Sequence, residues 1–107
     1  MQVFDLDPEI LAFIVTTLKV SENLSTDSSI EQQRASSEVF YRHFFYPYPS
    51  GIEAQDEIVT GRHGDIKIRR YWNNNQSGDV NAQIVFLHGG GFILGSLNSH
   101  DDICAEL

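Results

Sequence analysis

The feature that most constrains the fold of this chain is a run of three glycines, Gly89 to Gly91, directly after the short apolar segment 83–87 (QIVFL). A continuous apolar run of this length is typical of a central strand that is covered on both faces of a sheet. Glycine allows positive φ angles and brings backbone amides close to a ligand without side-chain obstruction. The sequence therefore predicts a buried strand that ends in a loop of backbone donors.

A first helix is predicted over residues 7–19. Asp7 can cap the free amides and Pro8 occupies the first helical position. Apolar residues at helical spacing define one face, which we expect to pack on the rest of the fold; these are Ile10, Leu11, Ile14, Val15 and Leu18.

A second helix is predicted after the polar connector 21–29, extending toward residue 43. Ser28 and Glu31 have the spacing of a capping box, and Pro47 and Pro49 end the helix. Its far end carries an aromatic cluster that we expect to pack in the core, with lining of a ligand pocket as the alternative; the cluster comprises Phe40, Tyr41, Phe44, Phe45, Tyr46 and Tyr48.

The period changes after Gly51. Residues 55–60 and 66–72 are predicted as strands joined by the turn 61–65, followed by a polar loop at 73–81. Acidic residues open a further helix at Asp101. This order predicts an α/β fold, with a helical segment at 1–50 and the start of a sheet at 51–107.

The charge balance bears on which partners the chain can bind. It has 15 acidic and 7 basic residues, a formal net charge of −8. Such a surface repels phosphate backbones and anionic lipid, which argues against nucleic-acid and membrane-surface binding.

The start of the chain and its cysteine content indicate a cytoplasmic protein. The apolar run 10–15 is too short to span a bilayer, and acidic residues precede it where a signal peptide has basic ones. Cys104 is the only cysteine, which excludes an internal disulfide and fits a reducing compartment. Its helical apolar surroundings predict a small buried hydrophobe without a catalytic role.

Two other kinds of site have weaker support in the sequence. His43, His63, His88 and His100 are scattered without metal-ligand spacing, so no metal site is predicted. The glycine loop also has a partial likeness to nucleotide-binding fingerprints, but Leu94 stands where the third glycine is required. Nucleotide binding stays open as a minor alternative.

The stretch 84–102 (IVFLHGGGFILGSLNSHDD) resembles the oxyanion-hole region of hormone-sensitive-lipase-like esterases, which have the α/β-hydrolase fold. The resemblance implies an incomplete α/β-hydrolase sheet whose leading helices belong to a cap over the substrate pocket. It further implies hydrolysis of small carboxylic esters, with short to medium acyl chains, by a Ser-His-Asp triad. No metal or organic cofactor is implied.

The resemblance also implies roles for individual residues. The amides of Gly90 and Gly91 would be the oxyanion donors, and Gly89 would shape the turn. His88 would orient the loop through hydrogen bonds without being the catalytic histidine. Phe92 would form part of the wall on the acyl side of the substrate pocket.

One departure from the family pattern concerns catalysis. The G-x-S-x-G elbow of the nucleophilic serine does not occur in the 107 residues, and Ser96 lacks the second glycine. The nucleophile, acid and catalytic histidine are therefore expected outside this chain, which alone should be inactive. The alternative is a non-catalytic truncated product that needs a complementary C-terminal fragment, because an unpaired apolar edge would remain at 84–87.

Overall fold

Three helices and one β-hairpin make up the described part of the chain, in a computed structural model that describes residues 5–22, 27–78 and 82–107. In chain order the elements are α1 (Pro8–Ser21), α2 (Ile30–His43), β1 (Ile52–Gly61), β2 (Gly64–Asn73) and α3 (Asp101–Glu106). The predicted connector at 21–29 and the predicted loop at 73–81 lie partly outside the described residues. No helix in these ranges is long and apolar enough to cross a membrane.

Helix α1 begins where the sequence predicts. The Asp7 carboxylate accepts a hydrogen bond of 2.8 Å from the Glu9 amide, and Pro8 is the first helical residue. The apolar face, however, does not pack as expected, since Ile10 and Leu18 are 52% and 63% exposed. A contact between Phe13 and Phe44, with ring centroids 5.2 Å apart, joins α1 to the end of α2.

Helix α2 has the predicted capping box one residue further along the chain. The Gln32 amide donates to Ser29 Oγ at 3.2 Å, and the Ser29 amide donates to Gln32 Oε1 at 2.9 Å. Ser28 and Glu31 are therefore not the capping pair. Both pairs have the same spacing, and Ser29 takes the cap because it is the last residue before the helix begins.

The aromatic cluster makes contacts between elements, but none of its residues is buried as the prediction of core packing required. The Phe40 and Phe44 rings lie 5.1 Å apart at the end of α2, and Tyr48 lies 6.1 Å from Tyr71 of β2. Aromatic pairs at these separations stabilise beyond their buried area. Through Tyr48, the chain that follows α2 is thereby brought against the hairpin.

Strands β1 and β2 form an antiparallel pair whose register runs from Ile52 opposite Asn73 to Gly61 opposite Gly64. Each is longer than predicted, and the turn is reduced to residues 62–63. The Arg69 side chain is only 14% exposed, whereas Ile66 is 53% exposed. The better covered face of β2 is therefore polar.

The prediction of a covered central strand at 83–87 is wrong for this structure. Within the described ranges this segment pairs with no strand, and Val85 and Leu87 are 85% and 88% exposed. A central strand needs a strand on each side, and β1 and β2, the two described strands, pair only with each other. Ala105, at 5% exposed, is the one buried hydrophobic residue in the described ranges.

We predict that Ser29→Ala lowers the free energy of unfolding by about 1 kcal/mol, because the α2 amides lose their cap. Ser28→Ala is the matched control and should change it by less than about 0.5 kcal/mol. Urea unfolding of the purified protein, followed by far-UV circular dichroism, measures both. A larger effect at Ser28 would contradict the observed cap.

Candidate functional site

The glycine loop after the apolar segment is a tight turn closed on one carbonyl. Gly90 O accepts from the Ile93 amide at 3.1 Å and from the Leu94 amide at 2.9 Å. The turn requires positive φ angles of 129° at Gly90 and 61° at Gly91. A Cβ on Gly90 would overlap the Leu94 carbonyl oxygen, so the backbone itself excludes a side chain there.

Phe92 continues the left-handed conformation, with a φ of 63°. A non-glycine residue in this region costs about 1–2 kcal/mol. The Phe92 side chain gains nothing in return from the described residues, because it is fully exposed (107%). The turn therefore presents an aromatic ring outward at the cost of backbone strain.

A groove of about 410 Å³ lies against this turn. Its lining residues are Arg34 of α2 and the loop 88–95. Among the described residues, no group accepts a hydrogen bond from the amides of Gly90 and Gly91. The groove is thus bordered by two backbone donors that remain available to a ligand. None of the cluster aromatics of 40–48 lines it.

His88 stands at the start of the loop and is fitted closely against it. Its Nδ1 lies 2.7 Å from Gly89 O, a contact in which a protonated Nδ1 donates. A Cβ on Gly95 would come within 2.6 Å of the same Nδ1 and within 2.8 Å of Gly89 O. Gly95 therefore lets the two ends of the loop approach across the imidazole.

The His100 ring stacks on His88, with centroids 5.4 Å apart and planes inclined by 25°. It also contacts Tyr41 of α2 at 5.7 Å and Phe86 at 6.0 Å. The histidines are scattered along the sequence, but the fold brings His88 and His100 together. His100 thus joins α2, the apolar segment and the glycine loop.

Ser96 and Ser99 form a turn between the loop and α3. Ser96 Oγ accepts from the amides of Asn98 and Ser99, both at 3.1 Å. Ser99 Oγ donates to Ser96 O at 3.0 Å and lies 2.8 Å from His100 Nδ1. Ser96 is therefore a turn-forming serine, as the sequence indicates.

Two arginines from different elements hold the loop and its continuation. Arg34 Nε of α2 donates to Ile93 O at 2.7 Å. Arg69 of β2 donates from Nη1 to Leu97 O at 3.3 Å and from Nη2 to Asn98 Oδ1 at 3.0 Å. The loop is thereby fixed to α2 on one side and to the hairpin on the other.

Asp101, the first residue of α3, is the centre of a polar network. Its Oδ1 accepts from the hydroxyls of Tyr48 and Tyr71, each at 2.6 Å, and lies 2.9 Å from Arg69 Nη1. Arg69 also pairs with Asp56 through Nε and Nη2. One guanidinium therefore connects the hairpin, the loop and α3.

The network shifts the pKa values of its members. Partial burial raises the pKa of Asp101, but hydrogen bonds from Tyr48, Tyr71 and Arg69 outweigh this and hold it below the ordinary value of 3.8. Burial and the hydrogen bond to Asp101 raise the pKa of Tyr48 to about 12, and the same causes raise the pKa of Tyr71. At neutral pH the Asp101 side chain therefore stays ionised, and the hydroxyls of Tyr48 and Tyr71 stay protonated.

Cys104 lies in α3, partly buried. Burial, followed by the charges of Asp101 and Asp102, raises the pKa of its thiol. A thiol that stays protonated is a poor nucleophile. This environment agrees with the expectation of a structural cysteine.

Comparison with known proteins bears on this site directly. Residues 84–107 match a protein family that is described as having the α/β-hydrolase fold. Esterase LipI of Mycobacterium tuberculosis is 32% identical over 84 residues, covering 78% of this chain and 25% of that protein. Carboxylic ester hydrolase LipN of the same organism is 30% identical over 102 residues, covering 92% of this chain and 26% of that protein. An acetyl esterase of Salmonella typhi is 35% identical over 77 residues, covering 72% of this chain and 23% of that protein.

The chain is thus similar to esterases over most of its length, and its segment 84–107 matches the α/β-hydrolase-fold family. It spans about a quarter of the length of these α/β-hydrolase relatives. The match to the hydrolase family includes the whole glycine loop, the histidine pair and α3.

Two parts of this site cannot be found from the sequence alone. Arg34 lies 59 residues from its partner Ile93, and nothing in its helical surroundings indicates that contact. The Asp101 network joins three distant stretches in the same way. Arg69 gives no signal either, because Lys67 and Arg70 beside it in the strand are charged as well.

We predict that Asp101→Asn lowers the free energy of unfolding by about 2 kcal/mol at neutral pH, since charge-assisted hydrogen bonds are lost. The folded pKa lies below the ordinary 3.8, so the unfolded protein binds more protons in acid. The contribution is therefore present above that value and disappears as the pH falls through the folded pKa.

Unfolding free energies of both proteins, measured against pH, test this expectation. The difference between wild type and Asp101→Asn should shrink as the solution is acidified below about pH 4. Asp65→Asn removes an exposed carboxylate at the hairpin turn and serves as the control. A difference that does not depend on pH would contradict the role of the Asp101 charge.

Proposed function

We propose that this chain supplies the oxyanion-binding loop of a serine carboxylester hydrolase that acts on esters with short to medium acyl chains. The observation that carries the proposal is the closed glycine turn, whose Gly90 and Gly91 amides border a groove without an acceptor among the described residues. The names of the relatives, which include esterases and a carboxylic ester hydrolase, support the same reaction class.

The proposed chemistry is acyl transfer. A nucleophile adds to the ester carbonyl carbon, and the π electrons of the carbonyl move onto its oxygen. The amides of Gly90 and Gly91 donate hydrogen bonds to this oxyanion. When the carbonyl reforms, the alcohol leaves with a proton, and water then releases the acid from the acyl-enzyme. A single donor of this kind is worth about 3–4 kcal/mol in the transition state.

The neighbouring residues receive supporting roles. Gly89 shapes the entry to the turn, and the fit of His88 between Gly89 and Gly95 supports its role in orienting the loop. Phe92, exposed beside the groove, is proposed as the wall on the acyl side. Its outward position suits contact with a substrate or with further protein.

The catalytic serine, acid and histidine are proposed to lie outside these 107 residues, because the sequence contains no G-x-S-x-G elbow. In the complete cytoplasmic protein, residues 1–50 would form part of the cap, and residues 51–107 would begin the hydrolase core. The segment 84–87 would join the sheet there, and ester hydrolysis would be absent from the 107-residue chain alone.

A second candidate is a non-catalytic product that requires a complementary C-terminal fragment. The exposed apolar residues of α1 and of 84–87 favour a partner of that kind. Both candidates assign the same surfaces to contact with further protein. They differ in whether the cell makes the catalytic residues on the same polypeptide.

The deciding experiment is the intact mass of the protein isolated from its source cell, combined with an assay on a short-chain ester. A mass well above that of 107 residues, with hydrolysis, supports the esterase. A 107-residue product without hydrolysis supports the second candidate. Hydrolysis by the purified 107-residue chain would overturn the absence of the nucleophile.

We predict that Gly90→Ala lowers kcat of the complete esterase by about 10²–10³-fold, because the turn cannot close and an oxyanion donor moves away. Gly64→Ala is a matched control. Its φ of 132° resembles the 129° of Gly90, but its Cβ would meet nothing within 4 Å. Gly64 lies in the hairpin outside the groove, so kcat should be unchanged. Steady-state kinetics on one ester compare the variants, and an unaffected Gly90→Ala enzyme would contradict the assigned donors.

A further inference from the structure

One charged side chain lies in the wall of the groove. Arg34 is the only Lys, Arg, Asp or Glu among the lining residues; the others belong to the loop 88–95. Its Nε donates to Ile93 O, whereas neither of its two Nη groups makes a hydrogen bond within the described residues. These groups are the donors that remain for a ligand.

Arg34 also has no carboxylate partner in the described ranges. The ion pairs found there are made by Arg69 and Arg70. Glu31 and Glu38 stand about one helical turn to either side on α2, yet neither comes within 4.0 Å of the guanidinium. Arg34 differs from the other lysines and arginines in lining the groove.

The guanidinium is tied to the proposed oxyanion donors by a short chain of contacts. Arg34 Nε bonds to Ile93 O at 2.7 Å, and the amide of the same Ile93 bonds to Gly90 O at 3.1 Å. One residue therefore separates the arginine from the turn. A ligand group bound at Arg34 would lie close to an ester carbonyl bound at Gly90 and Gly91.

The geometry of the guanidinium determines which group it suits. Its Nη donors form a planar fork that matches the two oxygens of a carboxylate. The hydrogen bond at Nε already fixes the plane, so less rotational freedom is lost on binding.

We propose that Arg34 determines specificity by binding a second, ionised carboxylate of the substrate, so that the preferred substrates are half-esters of short dicarboxylic acids. The inference rests on the proposed esterase function. The carboxylate docks on the Nη edge of Arg34 while the ester carbonyl lies at the glycine turn.

The test compares two esters with the complete esterase: p-nitrophenyl butyrate, which is neutral, and mono-p-nitrophenyl succinate, which carries a free carboxylate. The measured quantity is the ratio of kcat/KM for the succinate ester to that for the butyrate ester. We expect Arg34→Gln to lower this ratio by about 10–100-fold, mainly through KM for the succinate ester, since a charged hydrogen-bonded contact is lost. Arg34→Lys, which keeps the charge without the fork, should retain part of the ratio.

Arg42→Gln is the matched control. It removes the same charge from an exposed site on the same helix, outside the groove, and should leave the ratio at its wild-type value. A fall of the ratio in this variant equal to that in Arg34→Gln would show a general charge effect and overturn the inference. An unchanged ratio in both Arg34 variants would overturn it as well.

Competition separates a carboxylate site from a phosphate site. Succinate should inhibit butyrate hydrolysis more strongly in the wild type than in Arg34→Gln, and inorganic phosphate should not. Equal Arg34-dependent inhibition by phosphate would overturn the carboxylate assignment. Failure to hydrolyse either ester would overturn the proposed function, whereas hydrolysis of both without an Arg34-dependent preference would overturn the inference alone.

Discussion

The arrangement depends first on the ion pair between Arg69 and Asp101. Both side chains are only 14% exposed, and each serves several partners. Asp101 draws Tyr48 and Tyr71 to the start of α3, while Arg69 holds Leu97 and the neighbouring turn. A charge this well covered has to be fully paired, since an unpaired partner is costly. The network thereby fixes how α3 and the loop before it sit on the hairpin, and no apolar core of comparable extent does so in the described residues.

The glycine turn has a strained backbone, and contacts from neighbouring residues offset the energy of that strain. Gly90, Gly91 and Phe92 all have positive φ angles, and only the phenylalanine carries a steric penalty for it. Strained backbone persists where its surroundings over-determine it. Here the hydrogen bond from Arg34 to Ile93 O and the His88–His100 stack hold the turn from two sides. Donors fixed in advance need no reorganisation when charge develops, which is the property an oxyanion site requires.

Structural features that depend on residues close together in the sequence could be predicted, and contacts between distant residues could not. The Asp7 cap, the hairpin and the start of α3 depend on residues a few positions apart, so their patterns are visible in the chain. The capping serine was misplaced by one because two overlapping pairs satisfy the same spacing. The predictions of a strand at 83–87 and of a packed apolar face on α1 were wrong. An apolar pattern shows that a surface needs to be buried, but it does not show whether these residues bury it. The contact of Arg34 with Ile93 depends on tertiary geometry alone.

The exposed segment 84–87 links the pairing of the sheet to the conformation of the glycine turn. It leads directly into His88, so any strand that pairs with it also sets the direction in which the chain enters the glycine turn. The turn is anchored downstream by arginines, but its upstream entry has no ladder hydrogen bonds within the described residues. Completion of the sheet and ordering of the turn are therefore thermodynamically linked. Whatever stabilises the sheet also stabilises the conformation of the turn that we propose to bind an oxyanion, and a ligand bound at the turn would stabilise the sheet to the same extent.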